Sequence, residues 1–500
     1  MSSEPASPTP LVNTGIEGLD DILHGGLPAR RLYLLEGMPG SGKTTLALQF
    51  LREGARQGET CLLVTLSETE EEMRASAASH GWSLDGIQIL EIMASDESLV
   101  SDAQYTMYHS SEVELTETTK RVLSEAERRQ PTRVVFDSLS ELRLLAEGPL
   151  RYRRQILALK QFFARQKCTV IFIDDRTAAE RDMHLHSLAH GVISLELEVA
   201  AYGTIRRRLQ VGKLRGRKYR EGFHDYVIRS GGLEVFPRLV AAEHQTTYAR
   251  ENISSGLAPL DALLGGGLAK GTSTLIMGPA GTGKSSVASL FAMQMAAQNS
   301  HAAIFMFDES TATFLERSAG LGMPVAQYQR EGRVSLRQID PAEFSPGEFS
   351  SMVRHAVSQE STQLVVIDSL NGFLNGMPDE KFLLLHLHEL LTYLGQQGVT
   401  TILILTQHGI VGENLSVPFD ASYLADTVVL LRYFEALGEV RQAISVTKKR
   451  TGEHERAIRE LSFRKGQIHI GPPVRDFYGV LGGSPAPLSI SPTFSPRPPS

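Results

Sequence analysis

The chain contains an eight-residue loop that few folds can use, and it contains that loop twice. The first version is Gly37-Met38-Pro39-Gly40-Ser41-Gly42-Lys43-Thr44, and the second is Gly278-Pro279-Ala280-Gly281-Thr282-Gly283-Lys284-Ser285. Each follows an apolar run, Leu32–Glu36 or Thr274–Met277, and each opens a helix-periodic stretch, Thr45–Leu51 or Ser286–Ala297. Glycines let successive backbone N–H groups turn toward one point, and a lysine and a hydroxyl complete the motif. This is the Walker A pattern. The loop wraps nucleotide phosphates, Lys43 or Lys284 reaches the outer ones, and Thr44 or Ser285 faces Mg²⁺.

The duplication runs far beyond the loops. Thr14-Gly15 with Leu19-Asp20 returns as Ser255-Gly256 with Leu260-Asp261, and Gly25-Gly26-Leu27 returns as Gly266-Gly267-Leu268. Three glycine pairs share one offset (256 − 15, 267 − 26 and 278 − 37 all give 241). Glu68-Thr69 and Gly81 keep it against Glu309-Ser310 and Gly322. At the later aspartates it is 368 − 137 = 231, as a shorter loop in the second copy requires. The expected organisation is two copies of one domain, at 11–240 and 251–481, joined by a polar linker at 241–250. The ends, 1–10 and 482–500, are Ser/Pro-rich and too poor in large apolar residues to pack.

Within each copy short apolar runs alternate with helix-periodic stretches. The first copy reads as strands at Leu32–Glu36, Cys61–Leu66, Arg133–Asp137, Val170–Asp174, Val192–Leu197 and Arg207–Leu214. Its helices follow the loop and recur at Glu70–His80 and Tyr152–Lys167. The second copy repeats the order with strands at Ala303–Phe307, Leu364–Asp368 and Thr401–Thr406, then a hairpin of Thr427–Phe434 and Gln442–Lys449. The fold class expected is α/β, with two tandem domains. Each is a mainly parallel sheet flanked by helices, with antiparallel strands at one edge.

A net charge of −7 gives no overall reason to expect nucleic acid or an acidic membrane as partner. The two cysteines, Cys61 and Cys168, lie beside apolar runs and read as core residues of a reducing compartment. No signal segment opens the chain, and no apolar run approaches the roughly 20 residues of a membrane span. A cytoplasmic location is expected.

Three further elements carry chemistry. Val134-Val135-Phe136-Asp137-Ser138 and Val365-Val366-Ile367-Asp368-Ser369 are apolar strands ending in Asp-Ser. Such a strand end offers a hard oxygen to the Mg²⁺ faced by Thr44 or Ser285, a Walker B arrangement. Ser67-Glu68-Thr69 and Asp308-Glu309-Ser310 end the strand after the loop helix, where a carboxylate can orient or deprotonate an attacking water. Glu68, Asp308 and Glu309 are the candidate bases, while Thr69 and Ser310 suit helix caps. Lys213-Leu214-Arg215-Gly216 and Lys448-Lys449-Arg450-Thr451 end late strands, far in sequence from their own loops. Cations so placed suit either a charged edge strand or a contribution to a neighbour's phosphoryl transfer. Arg206–Arg208 with Arg217, Lys218 and Arg220 makes a basic strip, though only Tyr219 and Phe223 offer stacking surfaces. His184, His186 and His190 lack ligand spacing and read as a loop or helix-end cluster.

Taken together, these motifs resemble the KaiC family of double-domain ATPases within the RecA-like superfamily, over about residues 11–480. Asp426-Thr427-Val428-Val429-Leu430-Leu431 and Ala457-Ile458-Arg459-Glu460 add to the resemblance. It implies tandem RecA-like P-loop domains in a hexameric double ring, with ATP and Mg²⁺ held between neighbouring subunits. Implied nucleotide contacts in the first copy are Gly40, Ser41, Gly42, Lys43, Thr44, Thr45 and Ser79, with Lys213, Leu214 and Arg215 serving the next subunit. In the second they are Gly281, Thr282, Gly283, Lys284, Ser285 and Ser286, with Lys448 and Arg450 serving the next subunit. Mg²⁺ would lie at Thr44 and Asp137 and at Ser285 and Asp368. The second copy is further implied to be an autokinase acting on a Ser-Thr pair just before the Asp426 strand. Here Ser422 and Tyr423 occupy those positions, leaving Ser422 as the acceptor candidate. The family's tandem Glu-Glu becomes Ser67-Glu68 and Asp308-Glu309.

The function expected is an ATP-hydrolysing hexamer with possible serine autokinase activity, in a signalling or timing role. Protein regulators would dock on the C-terminal tail. Two other readings stand beside it. One is a RecA- or RadA-like DNA-binding recombination ATPase, favoured by the basic strip and opposed by the acidic net charge. The other is a nucleotide-gated scaffold whose two ends dock signalling partners.

Overall fold

The computed structural model describes residues 9–92, 110–146, 148–175, 183–199, 203–375, 383–407, 409, 421–436, 438–464, 466–482 and 486–487. The chain divides into two units, Met1–Arg238 and Leu239–Ser500. In the first, a short pair β1 (Leu11–Val12) and β2 (Leu27–Pro28) precedes a main sheet. That sheet contains β3 (Leu32–Gly37), β4 (Cys61–Thr65), β5 (Ile87–Glu91), β6 (Arg133–Asp137), β7 (Thr169–Asp175) and β8 (Gly191–Glu198). It continues with β9 (Arg206–Leu214), β10 (Phe223–Arg229) and β11 (Gly232–Phe236).

The spatial order is β11-β10-β9-β8-β3-β7-β6-β4-β5. Neighbours from β8 to β5 run parallel, while β8 to β11 form an antiparallel extension. Strand alternation explains why the central strands read as unbroken apolar runs. Leu35, Leu63, Val135 and Ile173 pack on one face with Leu46 and Phe50 of the helix Lys43–Arg56. Leu34, Leu62, Val134 and Phe172 pack on the other with Tyr152, Ile156 and Phe163 of the helix Pro149–Arg165. A sheet buried on both faces has no polar side to show.

The second unit repeats this plan. A pair β12 (Asn252–Ile253) and β13 (Leu268–Ala269) precedes β14 (Ser273–Gly278), β15 (His301–Met306), β16 (Val334–Gln338), β17 (Thr362–Asp368) and β18 (Thr400–Thr406). Then come β19 (Thr427–Ala436), β20 (Glu439–Lys449), β21 (Arg459–Arg464) and β22 (Gln467–Pro473). The order β22-β21-β20-β19-β14-β18-β17-β15-β16 matches the first sheet strand for strand. Alternate residues again part between two cores, Leu275, Val365 and Leu403 to one and Ile276, Val366 and Ile404 to the other.

The α/β class, the mainly parallel sheets and the antiparallel edge agree with expectation. Several elements escaped it. The edge strands β5 and β16 are only partly buried and lack an unbroken apolar run, and the hairpins β10–β11 and β21–β22 follow polar, basic segments that gave no strand signal. Residues 241–250, expected as a linker, pack along the second unit instead. Leu239 and Ala241 enter its core, and Thr246 Oγ1 donates to Gln396 O at 2.8 Å. The expected unstructured ends lie mostly outside the described residues; of what is described, Ala486–Pro487 pairs with Phe477–Tyr478.

The opening motif has a local physical cause. Asp20 accepts from the backbone and hydroxyl of Thr14, both at 2.9 Å, and Asp261 accepts from Ser255 at 2.8 and 2.7 Å. Gly26 and Gly267 have φ near +110°, and a Cβ there would meet the carbonyl of Val12 or Ile253 at 2.5 or 2.4 Å. Both cysteines are buried and free, and burial pushes their thiols up to about 11 and about 12.

Arg133 is fully buried in the first unit. It donates to both Glu59 oxygens at 3.0 and 2.8 Å and to the carbonyls of Asn13 and Phe50 at 2.7 and 2.9 Å. Glu59 is partly exposed and can rehydrate, whereas an unpaired Arg133 cannot. Arg133→Met should therefore cost about 3 kcal/mol, and Glu59→Ala, which strands the buried guanidinium, should cost more. Trp82, the single tryptophan, is buried in the same unit, so urea unfolding followed by its fluorescence reads both. Equal stability of Arg133→Met and the parent chain would contradict this account.

Candidate functional site

Both glycine loops sit where a central parallel strand hands over to a helix. In the first unit β3 ends at Gly37 and the helix Lys43–Arg56 begins after Gly42, whose φ is +89°. A Cβ on Gly42 would lie 2.5 Å from Ile228 of β10, and one on Gly283 would lie 2.3 Å from Phe463 of β21. The hairpins missed from sequence thus close over the loops, and only glycine fits beneath them. Tyr226 of β10 adds a hydrogen bond from its hydroxyl to Ser41 O at 2.6 Å. Gly40 also has positive φ, and the space where its Cβ would point is open.

Lys43 Nζ donates to Gly37 O and Met38 O at 3.0 and 2.9 Å and pairs with Asp175 at 2.7 Å. Thr44 Oγ1 donates to Asp137 Oδ2 at 2.8 Å, joining the helix start to the end of β6. Asp137 is pushed up to about 6, chiefly by burial and further by Glu68 and Asp175; Thr44 and Lys43 pull the other way. Glu68 is also raised, by burial and then by Glu72. Its main chain is fixed by Thr65, whose hydroxyl donates to Glu68 O at 2.7 Å, and Thr69 caps the next helix in a capping box with Glu72.

The second unit repeats the constellation with different detail. Lys284 Nζ donates to Pro279 O at 2.7 Å, and burial lowers its pKa to about 8. Thr282 Oγ1 donates to the same carbonyl at 2.8 Å. Asp368 is raised by burial and hydrogen-bonded by Ser285. Asp308 accepts from the Ser369 hydroxyl. Glu309 is held by Arg317 at 3.2 and 2.9 Å, and the same guanidinium donates to Ser286 Oγ at 3.0 Å. These groups line a cavity of about 560 Å³, whose far wall is Gly320, Leu321 and Phe463.

Hydroxyl and carboxylate oxygens beside a loop of backbone donors suit Mg²⁺, which takes one or two protein oxygens and completes its shell with phosphate and water. Among the described residues no group of three His, Cys, Asp or Glu side chains forms a metal cage, which fits that mode of binding.

Lys213, Arg215, Lys448 and Arg450 do not approach their own loops. Leu214 pairs with Gly191 and Lys448 with Val428, at the edge where the parallel strands begin. The loops follow the opposite edge, one six-residue strand or about 20 Å away. Lys213 Nζ caps His186 O and Ala189 O, and Arg215 donates to Ser187 O at 2.8 Å. Lys448 Nζ donates to Ser422 O and Ala425 O at 2.7 and 2.8 Å, which sets Ser422 beside this cation. Arg450 lies 3.5 Å from Asp426. Leu214 itself is buried. Thr45 is half-buried on the first turn of the loop helix. Ser79 ends the helix Glu70–Ser79 and donates to Ser76 O; its counterpart at the 241-residue offset, Gly320, lines the second cavity.

The basic strip is locally neutralised in part: Arg208 pairs with Glu198 at 2.6 Å and Arg220 with Asp21 at 2.7 Å. Tyr219 leans on the core, and Arg208 lies over Phe223. Of the histidines, His186 Nε2 lies 2.8 Å from Glu36, which also accepts from Ser194 at 2.7 Å; the His184 side chain is outside the described residues. Asp175 and Arg317 were missed from sequence. The tandem Asp174-Asp175 at a strand end was a legible hint, whereas Arg317 was one charge on a helix.

Comparison with known proteins follows the same division of the chain. The family described as "ATPase: KaiC" matches residues 12–240 and again 253–475. The circadian clock oscillator protein KaiC of Picosynechococcus sp. is 27% identical over 485 residues, covering 96% of this chain and 93% of that protein. Its namesakes from Thermosynechococcus vestitus and Synechococcus elongatus are 28% and 27% identical, each covering 96% of this chain and 92% of theirs. No described helix is long and apolar enough to cross a membrane. With the family matched once in each unit and over nearly all of the described fold, the chain belongs to the KaiC ATPase family.

Proposed function

We propose that this chain is a Mg²⁺-dependent ATPase with two unlike nucleotide sites, each completed by a neighbouring copy in a hexameric ring. The observation that carries the proposal is the repeated constellation of Lys43 with Thr44–Asp137 and Lys284 with Ser285–Asp368, set against cation pairs at the far edge of each sheet. A cation a strand's length from its own loop is out of reach of that loop, which supports a role toward a neighbouring copy. The relatives' names attach a clock role to those proteins; for this chain a signalling or timing role in the cytoplasm is the corresponding proposal.

The residues divide the work by position. Loop N–H groups and the lysines bind and orient the phosphates, with Asp175 giving up Lys43 as they arrive. Mg²⁺, held at Thr44 and Asp137 or at Ser285 and Asp368, would neutralise charge on the phosphate oxygens. In the first site Glu68, raised by burial, takes the water's proton. In the second, Arg317 occupies Glu309, so Asp308 is the carboxylate left for proton transfer. Ser422, whose carbonyl accepts from Lys448 at the proposed neighbour-facing edge, is the acceptor in the proposed autokinase reaction.

Three measurements test this reading. Lys43→Ala should weaken ATP binding by about 10–100-fold at the first site and loosen ATP-dependent assembly. Identical size-exclusion profiles of variant and parent in ATP would remove the assembly claim. Incubation with γ-labelled ATP should label Ser422, and unchanged labelling in Ser422→Ala would reject it as the acceptor. Finally, a carboxyl that titrates near 6 loses its metal-binding charge as pH falls. In a Lys284→Ala background, Mg²⁺-dependent ATP affinity should drop about fourfold from pH 7.5 to 5.5, and Asp137→Asn should flatten that dependence.

A further inference from the structure

The first unit carries a second cavity, of about 200 Å³, at the edge where the parallel strands begin. Its wall holds Arg30, Arg31, Lys160, Arg215 and His190 around an apolar floor that includes Phe163, and among the described residues no carboxylate lines it. Part of this charge has a local explanation. Lys160 donates to Leu188 O at 2.7 Å and Arg215 to Ser187 O at 2.8 Å, capping the short helix Met183–Leu188. A helix end offsets only about half a charge. Among the described residues neither Arg30 nor Arg31 has a carboxylate within ion-pair distance. The crowding is also felt by the neighbours: burial, then Arg31, Arg215 and Lys213, hold His190 below its ordinary range, and burial, then Arg215, lowers Lys160.

The second unit shows how the same edge looks when it is balanced. Gly271 and Thr272 stand at the 241-residue offset from Arg30 and Arg31. Sheet register places Asp426 where His190 stands, since Gly191 pairs with Tyr33 and Thr427 with Thr274. Asp426 there lies 3.5 Å from Arg450 and accepts from Ser273 N at 3.1 Å. One unit supplies its own carboxylate, whereas the other replaces it with a histidine and adds two arginines.

We infer that the cavity of Arg30, Arg31, Lys160, His190 and Arg215 binds a phosphate-class polyanion. Four permanent cations call for a ligand with more than one negative charge, and guanidinium forks match tetrahedral phosphate oxygens. The volume lies below the 300–1,000 Å³ of sites for drug-sized ligands, so it takes a phosphate group and not a whole nucleotide. The ligand is free orthophosphate, distinct from the neighbour's nucleotide that Lys213 and Arg215 are proposed to serve.

The test uses the full chain carrying Lys43→Ala, which removes the Walker A lysine of the same unit as a competing phosphate site. Thermal unfolding followed by Trp82 fluorescence is compared in orthophosphate and in chloride at equal ionic strength. A saturable rise of about 3–5 °C at ten times the dissociation constant is expected. Arg30→Gly with His190→Asp, residues borrowed from the second unit, should abolish it, and melting of that variant in chloride checks its fold. An undiminished response in the variant, or no response beyond chloride, overturns the inference. A second arm adds ATP to the chain without Lys43→Ala. A phosphate response that persists identifies the free anion. One that ATP suppresses, with weaker assembly of the double variant, overturns the inference, because the cavity then belongs to the nucleotide site proposed above. The first arm needs no ATP hydrolysis, so the site and the proposed ATPase function fail separately.

Discussion

The hydrogen bond from Thr44 to Asp137 ties together two points that are 2.8 Å apart in space and nearly a hundred residues apart in sequence. It spans from the helix that follows β3 to the end of β6, although β3 and β6 are not neighbours in the sheet. β7 lies between them, so the bond forms only if three parallel strands end level with one another. Parallel strands need crossovers, and the crossovers are the helices that bury both faces of the sheet. The site is therefore a reading of sheet register: a one-residue slip in β6 would turn Asp137 to the other face and break it.

A second constraint comes from the opposite side. The loop glycines are pressed by Ile228 in one unit and Phe463 in the other, residues of hairpins that belong to the antiparallel extension. Antiparallel strands can be added by short turns, so the chain reaches back over its own phosphate loop without another crossover. The same extension carries Lys213 and Lys448 to the far edge of the sheet. One run of strands thus both shapes its own loop and presents cations away from it, which links each loop to the neighbouring copy in the proposed assembly.

What the sequence made legible was whatever is enforced locally or said twice. Glycine loops, strand-end aspartates and the Thr14–Asp20 turn are short-range requirements, and the duplication repeats each of them, at an offset of 241 residues for the loops and the turn and 231 for the aspartates. The central strands were legible because burial on both faces leaves no polar interruption. The hairpins were not, because Phe223–Arg229 and Arg459–Arg464 mix charged and apolar residues, and their burial depends on a loop about two hundred residues away. Arg317 was invisible for the same reason. It sits among polar residues on a helix, and its importance comes from Glu309 and Ser286, which tertiary structure brings to it. The segment 241–250 looked like a linker because it is polar, yet Ala241 enters the core of the second unit and Thr246 donates to Gln396 O through both its backbone and its hydroxyl.

Duplication gave the chain two copies of one site, and the differences between them are electrostatic. In the first, Lys43 already faces a carboxylate, Asp175; Thr406 stands at the corresponding strand end in the second, and Lys284 lies buried with Asp368 as its charged neighbour. An incoming phosphate must displace an acid from Lys43 but meets a lysine already biased toward neutrality in the second unit. A lysine whose pKa is about 8 is still mostly charged at neutral pH, so a phosphate arriving beside Lys284 would draw in only about a tenth of a proton. The acids differ in the same sense. Glu68 stands near Glu72 and is raised by burial, whereas Glu309 is bound by Arg317 and leaves Asp308 with its shorter reach. The two rings of the proposed assembly would therefore respond differently to pH and nucleotide, although their sheets superimpose in order strand for strand.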